Sequence, residues 1–332
     1  MSKFKLAVVG ATGAVGQEMI KILEERNFPI NNIKFIASKR SEGKKLSFLN
    51  NEIVVESIND DTFEDVDIAL FSIASSLSKK YAPQAVKSGA VVIDNSNAFR
   101  MDKNVPLVVP EINSNKIEDN NGIIANPNCS TIQLVMAINS IYKKYGIKRL
   151  VVSTYQAVSG TGQKAIDEME KQLDDYKNDK ELKHKVYPHQ IAFNLLPHID
   201  EFQENGYTRE EMKVVRETRK ILDDNKIPIT TTAVRVPVFN GHGESVNLET
   251  QKSFELADIK EIIENTENVK LIDEINNNIY PMPIMIEKDD NVLVGRLRKD
   301  YSKKNALNMW IVANNLRKGA ALNAVQIAEK LI

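Results

Sequence analysis

The feature that most constrains this chain is a run of three glycines spaced three residues apart. The run, Gly10-Ala-Thr-Gly13-Ala-Val-Gly16, follows the apolar segment Lys5–Val9 and opens a stretch whose apolar residues recur at helical spacing. Such a turn lets the backbone approach a pyrophosphate closely, and the helix N-terminus supplies free N–H groups. Thr12 stands where the commoner pattern has its middle glycine, so a purely structural turn is the alternative. The placement predicts a dinucleotide site.

Short apolar runs alternate with amphipathic stretches over the first hundred residues. A helix with Val15, Met19, Ile22 and Leu23 on one face separates the first two runs. This alternation predicts a parallel sheet with helices on its faces. The runs, which are rich in β-branched residues and are interpreted as buried strands, are Lys5–Val9, Ile33–Ala37, Ile53–Val55, Ile68–Phe71, Val91–Ile93 and Leu107–Val109.

The pattern changes after residue 129, where longer elements follow one another. A long helix with Ile132, Val135, Met136 and Tyr142 is predicted first, and the charged stretch Asp174–Lys185 is interpreted as a solvated helix end and loop. Thr208 and Glu211 have capping-box spacing, and Arg317–Leu331 is predicted to be helical. The predicted strands are Leu150–Gln156, Ile229–Phe239, Ser245–Lys252 and Val292–Arg298. They predict an α+β domain with a mostly antiparallel or mixed sheet.

The composition is that of an ordinary globular protein and excludes several functions. The 332 residues suffice for two domains of roughly 100–200 residues. The 44 basic and 45 acidic residues are spread along the chain, so no positive patch for nucleic acid is expected. No apolar run reaches the roughly 18 residues of a membrane span, and no signal-peptide pattern is present. We expect a cytoplasmic protein that acts on small molecules, with no nucleic-acid or membrane partner and no metal site.

The residues after the second predicted strand indicate which dinucleotide is bound. NAD-binding versions usually carry an Asp or Glu there, which holds the ribose 2′-hydroxyl. Here the strand runs into Ser38–Ser41 (SKRS), whose hydroxyls and cations suit a 2′-phosphate. The sequence therefore favours NADP, although the nearby Glu42 keeps NAD open.

The chain has a single cysteine, Cys129, ahead of the long predicted helix. The preceding Asn126-Pro-Asn128 stops a strand, which places the thiol at or near the helix N-terminus. That position lowers the pKa of a thiol and favours the thiolate, the form that attacks an acyl carbon. A lone cysteine is more often a small buried hydrophobic residue, but this placement favours a catalytic nucleophile.

Four histidines could supply the acid or base that such a nucleophile needs. His184 lies in the charged stretch, and His189 and His198 each follow a proline. His242 lies between glycines, in a predicted turn that leaves a long strand, where the backbone could hold the ring in an open pocket. From spacing alone, His242 is only the best of the four.

Seven segments of the chain resemble the aspartate-semialdehyde dehydrogenase family, and its shorter, Gram-positive-type branch most of all. They are Gly10–Gly16, Asn126–Gln133 (NPNCSTIQ), Ser153–Gly160 (STYQAVSG), Glu211–Lys220 (EMKVVRETRK), Ala233–Val246 (AVRVPVFNGHGESV), Val294–Lys299 (VGRLRK) and Met309–Ala321 (MWIVANNLRKGAA). The resemblance implies an α/β protein with an N-terminal Rossmann domain and a C-terminal α+β domain similar to that of glyceraldehyde-3-phosphate dehydrogenase. The implied domains are 1–128, completed by a C-terminal helix at 315–332, and 129–314, for catalysis and dimerisation.

The same resemblance implies a reaction and the roles of several residues. NADPH would reduce L-aspartyl-4-phosphate to L-aspartate 4-semialdehyde and phosphate, a step towards lysine, methionine, threonine and diaminopimelate, in a homodimer or homotetramer. Cys129 would form a thioester, His242 would act as acid and base, and Gln156 would orient the substrate. A strand-end hydrogen bond is the alternative role of Gln156.

The resemblance also implies how the substrate and the cofactor are held. Arg235 would bind the substrate carboxylate and Glu210 its ammonium group, and phosphate would contact Arg100, Lys213 and Asn128. Without the family, Glu210 and Lys213 would be interpreted as a surface ion pair. The implied cofactor residues are Gly10, Thr12, Gly13, Ala14, Val15 and Gly16 at the pyrophosphate, Ser38, Arg40 and Ser41 at the 2′-phosphate, and Ser159, Gly160 and Asn315 near the nicotinamide.

Two other functions stay open beside this one. N-acetyl-glutamyl-phosphate reductase performs the same thioester chemistry on a longer, acylated substrate, for which the carboxylate of Glu210 has no use. A non-catalytic NADP-binding regulator would have no chemical need for Cys129 beside an anion pocket. Gly243 departs from the family, where serine is common, so a different loop rigidity is expected there.

Overall fold

The structure, a computed structural model, describes residues 3–59, 61–287 and 289–332, and its chain forms two compact units. The first unit comprises Met1–Asn128 together with Ala320–Ile332, and the second comprises Cys129–Gly319. No helix in the described ranges is both long and apolar enough to pass through a bilayer.

The first unit is built on a seven-stranded sheet in the order β3-β4-β2-β1-β5-β6-β7. All neighbouring strands from β4 to β7 are parallel, and β3 is antiparallel to β4. The parallel sheet predicted from the alternating pattern is therefore confirmed. The strands are β1 Phe4–Val9, β2 Ile30–Ala37, β3 Lys45–Phe48, β4 Asn51–Ser57, β5 Ile68–Phe71, β6 Val91–Asp94 and β7 Ile123–Ala125.

Three helices in the first part of the chain and one at its end belong to this unit. Helix α1 spans Ala14–Glu25, α2 spans Ser75–Lys87, α3 spans Pro110–Asn113, and the C-terminal helix spans Leu322–Glu329. The C-terminal helix packs on α1, and its Leu322 and Val325 join Met19 and Ile22 in one core. Asn323 Nδ2 also donates to Asn126 Oδ1 over 2.6 Å. A π-helical turn, Arg317–Ala321, precedes this helix.

One predicted strand of the first unit is wrong. Leu107–Val109 is buried but forms only an isolated bridge between Leu107 and Ala125, whereas β7 and β3 were not predicted. Prolines on both sides explain the difference. Pro106 has no N–H to donate, and Pro110 begins α3, so the segment is too short to continue as a strand.

The second unit contains a six-stranded mixed sheet in the order β11-β12-β13-β10-β8-β9. Its two outer pairs of strands are parallel and the other pairs are antiparallel, which confirms the predicted mixed sheet. The strands are β8 Ile147–Gln156, β9 Ile229–Arg235, β10 His242–Thr250, β11 Val269–Leu271, β12 Val292–Lys299 and β13 Ala306–Ala313. β11 and β13 were not predicted, and β9 ends before the predicted Phe239 because the chain turns away near Pro237.

Four helices complete the second unit: α4 Cys129–Tyr145, α5 Gln163–Lys177, α6 Arg209–Ile221 and α7 Leu256–Glu264. Helices α4, α6 and α7 pack on this unit's sheet. The predicted capping box is confirmed, because Glu211 N donates to Thr208 Oγ1 and Thr208 N donates to a Glu211 carboxyl oxygen. The charged stretch is largely a helix end and an exposed loop, as expected, although Asp175 is buried and paired with Lys171.

Candidate active site

The glycine turn of the first unit is tight at both of its ends. Gly10 has a φ of +93°, and a Cβ placed on it would lie 2.2 Å from the carbonyl oxygen of Ser72. A Cβ on Gly16 would lie 2.2 Å from the carbonyl oxygen of Gly10. No other residue fits either position, because both obstacles are backbone. The turn lies where the carboxyl ends of β1 and β5 meet, the usual dinucleotide position in such sheets.

The segment after β2 lies close to the glycine turn. Ser38 precedes a single 3-10 turn, Lys39–Ser41, and the hydroxyl of Thr12 donates to that of Ser41 over 3.4 Å. Arg40 is exposed, whereas the carboxylate of Glu42 accepts a 3.0 Å hydrogen bond from the hydroxyl of Ser57. The structure thus brings together the glycine turn and the hydroxyl and cationic groups predicted from the sequence.

Three polar side chains of the second unit form a row across its sheet. Gln156, the last residue of β8, pairs with Arg235, the last residue of β9. The register between β8 and β10 places His242 on the other side of Gln156. Because side chains alternate along a strand, all three point to the face on which α4 and α6 pack. Each is at least 95% buried.

His242 lies at the start of β10 and is fully buried, so the expected open pocket in a turn is wrong. Its Nδ1 accepts a 3.1 Å hydrogen bond from the backbone N–H of Ala157, while its Nε2 bonds to no described residue. Burial lowers the pKa of His242 most, the positive charge of Arg235 lowers it further, and the pKa falls to about 3. The ring is therefore neutral near pH 7, and its proton belongs on Nε2, since Nδ1 is occupied as an acceptor.

The turn after β8 leaves room beside His242 because one of its residues has no side chain. A Cβ on Gly160 would lie 3.2 Å from His242 Nε2 and 3.1 Å from Arg235 Nη1. The same turn is tied to the segment that precedes β10, since Asn315 donates to the Ser159 hydroxyl over 3.0 Å and accepts from the Gly241 N–H over 2.8 Å. The predicted nicotinamide residues Ser159, Gly160 and Asn315 therefore lie together, next to His242.

A group of three charged side chains, of which Glu210 is buried, extends the row towards α6. Gln156 Nε2 donates to Glu210 over 3.1 Å, and Lys213 Nζ contacts Glu210 at 2.9 Å and Asp200 at 2.8 Å. Burial lowers the pKa of Lys213, but Glu210 and Asp200 outweigh that effect, so the net pKa is raised and the cation is retained. The alternative of a surface ion pair is wrong, because Glu210 is only 6% exposed.

Asp200 was not predicted as a site residue. It follows His198 in the irregular segment between α5 and α6, and its φ is +69°. No periodicity or motif spacing places a loop residue beside a helix residue 13 positions further on. Only the tertiary fold identifies it.

Arg235 is anchored by the turn after β8. Its Nη1 donates to the carbonyl oxygen of Ala157 over 2.6 Å, and its guanidinium lies 5.9 Å from the centre of the Tyr187 ring. The side chain is 5% exposed. A buried guanidinium held in this way is suited to pairing with a small carboxylate.

Cys129 is the first residue of α4, as predicted, and it is partly exposed. A Cβ on Gly319 would lie 2.9 Å from the Cβ of Cys129, so the backbone at Gly319 packs directly on the cysteine. The thiol therefore lies at a helix N-terminus, where the helix dipole favours an anion.

Arg100 and Asn128 lie in the first unit, and both are 7% exposed. Arg100 Nη2 donates to the carbonyl oxygen of Asn95 over 2.7 Å. Their predicted contacts with phosphate stay predictions.

Gly243 is a strand residue and not part of a flexible loop. A Cβ on Gly243 would point to the face of the sheet opposite the row, where it would lie 2.6 Å from Cζ2 of Trp310. The indole N–H of Trp310 donates to the carbonyl oxygen of Pro281 over 3.0 Å, which fixes the ring. The packing of Trp310 accounts for glycine at this position.

The fold and these sites together define an oxidoreductase: a unit with a dinucleotide-binding turn, and a second unit with a cysteine at a helix start and a row of His, Gln and Arg. The family "Semialdehyde dehydrogenase, NAD binding domain" matches residues 5–120, and "Semialdehyde dehydrogenase, dimerisation domain" matches residues 138–318.

Individual proteins agree with that classification. The aspartate-semialdehyde dehydrogenase of Aquifex aeolicus is 54% identical over 99% of this chain and 98% of its own. The crystal structure of aspartate semialdehyde dehydrogenase II from Vibrio cholerae complexed with ASA is 45% identical, with a TM-score of 0.97 over 100% of this chain and 98% of that one. The Candida albicans enzyme with NADP is 25% identical, with a TM-score of 0.77 over 99% and 98%. The chain belongs to the aspartate-semialdehyde dehydrogenase family.

Proposed function

We propose that this protein is an NADP-dependent aspartate-semialdehyde dehydrogenase that converts L-aspartyl-4-phosphate to L-aspartate 4-semialdehyde and phosphate. The observation that carries the proposal is the buried row of His242, Gln156 and Arg235, in the unit whose helix α4 starts with Cys129. Membership of the family and the relative that was crystallised with ASA support the choice of substrate.

The residues of the row suit successive steps of this reaction. The thiolate of Cys129 attacks the acyl carbon, the C–O bond to phosphate breaks, and a thioester forms. His242, neutral with its proton on Nε2, donates a hydrogen bond to the oxygen that becomes negative as the thioester is reduced. The hemithioacetal then releases the aldehyde and the thiolate. We also propose that His242 takes the proton of the thiol on Nδ1 as the thiolate forms and later gives a proton from Nε2 to the hemithioacetal oxygen, which it takes back as the aldehyde is released. Uptake on Nδ1 would require the hydrogen bond from the Ala157 N–H to break.

The charged groups beside the row suit an amino acid that carries a second, phosphorylated acid group. Arg235 would pair with the α-carboxylate and Glu210 with the ammonium group. Lys213, with Arg100 and Asn128, would bind the leaving phosphate. In the structure Lys213 is held by Glu210 and Asp200, so phosphate would compete with two carboxylates for it. A free ammonium group gives Glu210 a partner, which an N-acetylated substrate would not.

The residues of the first unit fit NADP. Gly10 and Gly16 leave no room for a side chain, which is what close approach of a pyrophosphate requires. Arg40 is exposed and Ser41 bonds to Thr12, whereas Glu42 already accepts a bond from Ser57, which favours a 2′-phosphate over a free 2′-hydroxyl. The relative from Candida albicans was crystallised with NADP. When bound, the nicotinamide supplies or accepts the hydride.

We further propose a division of labour along the chain. Residues 1–128 with the helix at 315–332 would bind NADP, and residues 129–314 would carry catalysis and dimerisation. The match to a dimerisation domain supports a homo-oligomer, either a dimer or a tetramer.

The test is NADPH formation from aspartate semialdehyde, phosphate and NADP, followed for the wild type and for Cys129→Ala. We expect phosphate-dependent activity in the wild type and a loss of at least about 10³-fold in the variant, as for other nucleophiles. Activity that survives in Cys129→Ala would refute the thioester. A wild type that binds NADP but is inactive would favour the regulator, and preference for N-acetyl-glutamate semialdehyde would favour the reductase.

A further inference from the structure

A carboxyl group that the proposed mechanism does not use lies on the same sheet face as the row. Glu244 follows His242 by two residues in β10, so both side chains point to the face on which α4 packs. Glu244 is 0% exposed, and no described residue donates a hydrogen bond of normal geometry to either carboxyl oxygen. A buried carboxylate without a cation or donors is strongly disfavoured.

A polar residue on the neighbouring strand connects Glu244 to the row. Thr154 on β8 lies directly opposite Glu244, which places their Cβ atoms about 5 Å apart. The hydroxyl of Thr154 donates to Gln156 Oε1 over 3.3 Å, and the amide of Gln156 donates to Glu210. A second amide, that of Gln133 on α4, faces Glu244, and its Nε2 bonds to no described residue.

Among the described residues, no charged group compensates the burial of Glu244. Burial raises the pKa of Glu244 well above its usual range, and the Gln133 amide opposes this only in part. None of the other titratable groups on the surrounding elements contributes to the shift. The strand partner of Glu244 on β13, Ile311, is apolar. The buried titratable groups on the neighbouring elements are His242 and Glu249 on β10, Arg235 on β9, Tyr145 on α4, and Glu210, Glu211 and Glu217 on α6, together with the partly exposed Cys129 on α4 and Lys213 on α6.

Because the Thr154 hydroxyl has a single proton, the protonation state of Glu244 affects which group that hydroxyl donates to. A hydroxyl can donate one hydrogen bond, either to Gln156 or to a carboxylate at Glu244. The observed bond goes to Gln156 Oε1, which turns the Gln156 amide towards Glu210. An ionised Glu244 would draw the hydroxyl away, whereas a neutral one could itself donate to the Thr154 oxygen.

We propose that Glu244 is a neutral carboxylic acid near pH 7 and is a positioning residue that, through Thr154, fixes the amide of Gln156 in its active orientation. This role of Glu244 depends on the proposed function only in the experiments that measure enzyme activity. It assigns no proton transfer with substrate to Glu244.

Protonation is tested by the pH dependence of unfolding for the wild type and Glu244→Gln. The acid ionises at about pH 4.5 when unfolded but keeps its proton when folded, so the folded wild type binds one more proton above that pH. The unfolding constant of the wild type relative to the variant should therefore rise by about tenfold per pH unit from pH 5 to pH 7. A constant ratio would show that Glu244 is ionised when folded and would overturn the proposal.

Glu249 on the same strand provides the matched control. Its carboxylate accepts a 2.9 Å bond from Lys148, and chiefly that bond lowers its pKa. The ratio for Glu249→Gln should therefore stay constant from pH 5 to 8. If the ratio for Glu249→Gln rises with pH as that for Glu244→Gln does, the rise cannot be attributed to a neutral acid at Glu244.

Positioning is tested with Glu244→Leu and Thr154→Val, which remove the two ends of the link. Each should lower kcat by about five- to tenfold, the effect of one hydrogen bond, without changing the KM for NADP. Glu244→Gln keeps a donor and should restore kcat to within about threefold of the wild type. Equal losses in the Gln and Leu variants would overturn the role.

A double-mutant cycle of unfolding constants tests the role of Glu244 separately from the proposed dehydrogenase activity. If Glu244 and Thr154 form one link, Glu244→Leu and Thr154→Val together should change the unfolding constant by less than the product of their separate effects. Independent effects would contradict the link. Since neither this cycle nor the pH comparison requires activity, both decide the role of Glu244 even if the wild type fails the dehydrogenase assay.

Discussion

The glycine turn of the first unit and the polar row of the second are specified in different ways. The turn is a continuous segment, Gly10–Gly16, whose first and last glycines are required because a Cβ would clash with the backbone of Ser72 or of Gly10. The row joins residues 156, 235 and 242, which the register of three strands places side by side. Local backbone geometry can be inferred from a short motif, whereas a row across a sheet depends on distant pairings. The predictions below test that contrast.

The largest effect is expected at the row. His242→Gln keeps a buried polar side chain but removes the imidazole, so kcat should fall by about 10²- to 10⁴-fold, the usual contribution of a positioned acid or base. The free energy of unfolding should change little. Steady-state kinetics and urea unfolding check both statements.

A buried polar residue on the same face is the control for His242. Thr231→Val, on β9, removes a hydroxyl that bonds to no described residue and should leave kcat unchanged. If it lowers kcat as His242→Gln does, general packing of the face and not the row determines activity.

The glycine turn should respond first through backbone strain. Gly16→Ala places a methyl group against the carbonyl oxygen of Gly10, so the free energy of unfolding should fall by about 1–3 kcal/mol. NADP affinity should fall by about 10- to 100-fold as phosphate hydrogen bonds are lost. Gly89→Ala, which has a positive φ but open space around it, should destabilise the protein without weakening NADP binding. Calorimetric titration of both variants with NADP would show whether NADP affinity depends on close approach of the turn's backbone to the pyrophosphate.

Cofactor choice should depend on one exposed cation. Arg40→Ala removes a charge-assisted bond to the 2′-phosphate, so the KM for NADP should rise by about 10-fold while the KM for NAD stays the same. Lys45→Ala, an exposed cation on β3 of the same unit, should change neither. A parallel rise for both cofactors at Arg40 would contradict 2′-phosphate recognition.

The smallest effect is expected at the turn beside the row. A methyl group in Gly160→Ala would press on Arg235 Nη1 and His242 Nε2 and displace them by a few tenths of an ångström. Because a misplacement of about 1 Å can cost 10²-fold, we expect kcat/KM to fall by about three- to tenfold. Gly206→Ala, at a strained but open loop position, should leave kcat/KM unchanged.

The sequence predicted most of the first unit and some features of the second because the patterns concerned are local. The β-branched runs, the glycine turn and the capping box at Thr208 each depend on residues within a few positions of one another. Cys129 was predicted at a helix start for the same reason. The strand predicted at Leu107–Val109 is wrong because its flanking prolines prevent extension.

The surroundings of the row could not be predicted in the same way. Glycines beside His242 were interpreted as an open turn, but the register buries the ring at the start of β10. Asp200 and Glu244 drew no attention, because loop position and strand parity acquire meaning only when β8, β10 and α6 are packed together. Resemblance to a family named residues of the row, but not the hydrogen bonds that hold them.

The most direct test of the central claim, a thioester on Cys129, is a rapid-mixing experiment without phosphate. Aspartate semialdehyde and NADP should then yield a burst of about one NADPH per active site, because the thioester forms but has no phosphate to release it. Added phosphate should restore turnover, and Cys129→Ala should show no burst. A wild type without a burst that still turns over once phosphate is added, or a burst in Cys129→Ala, would contradict the account.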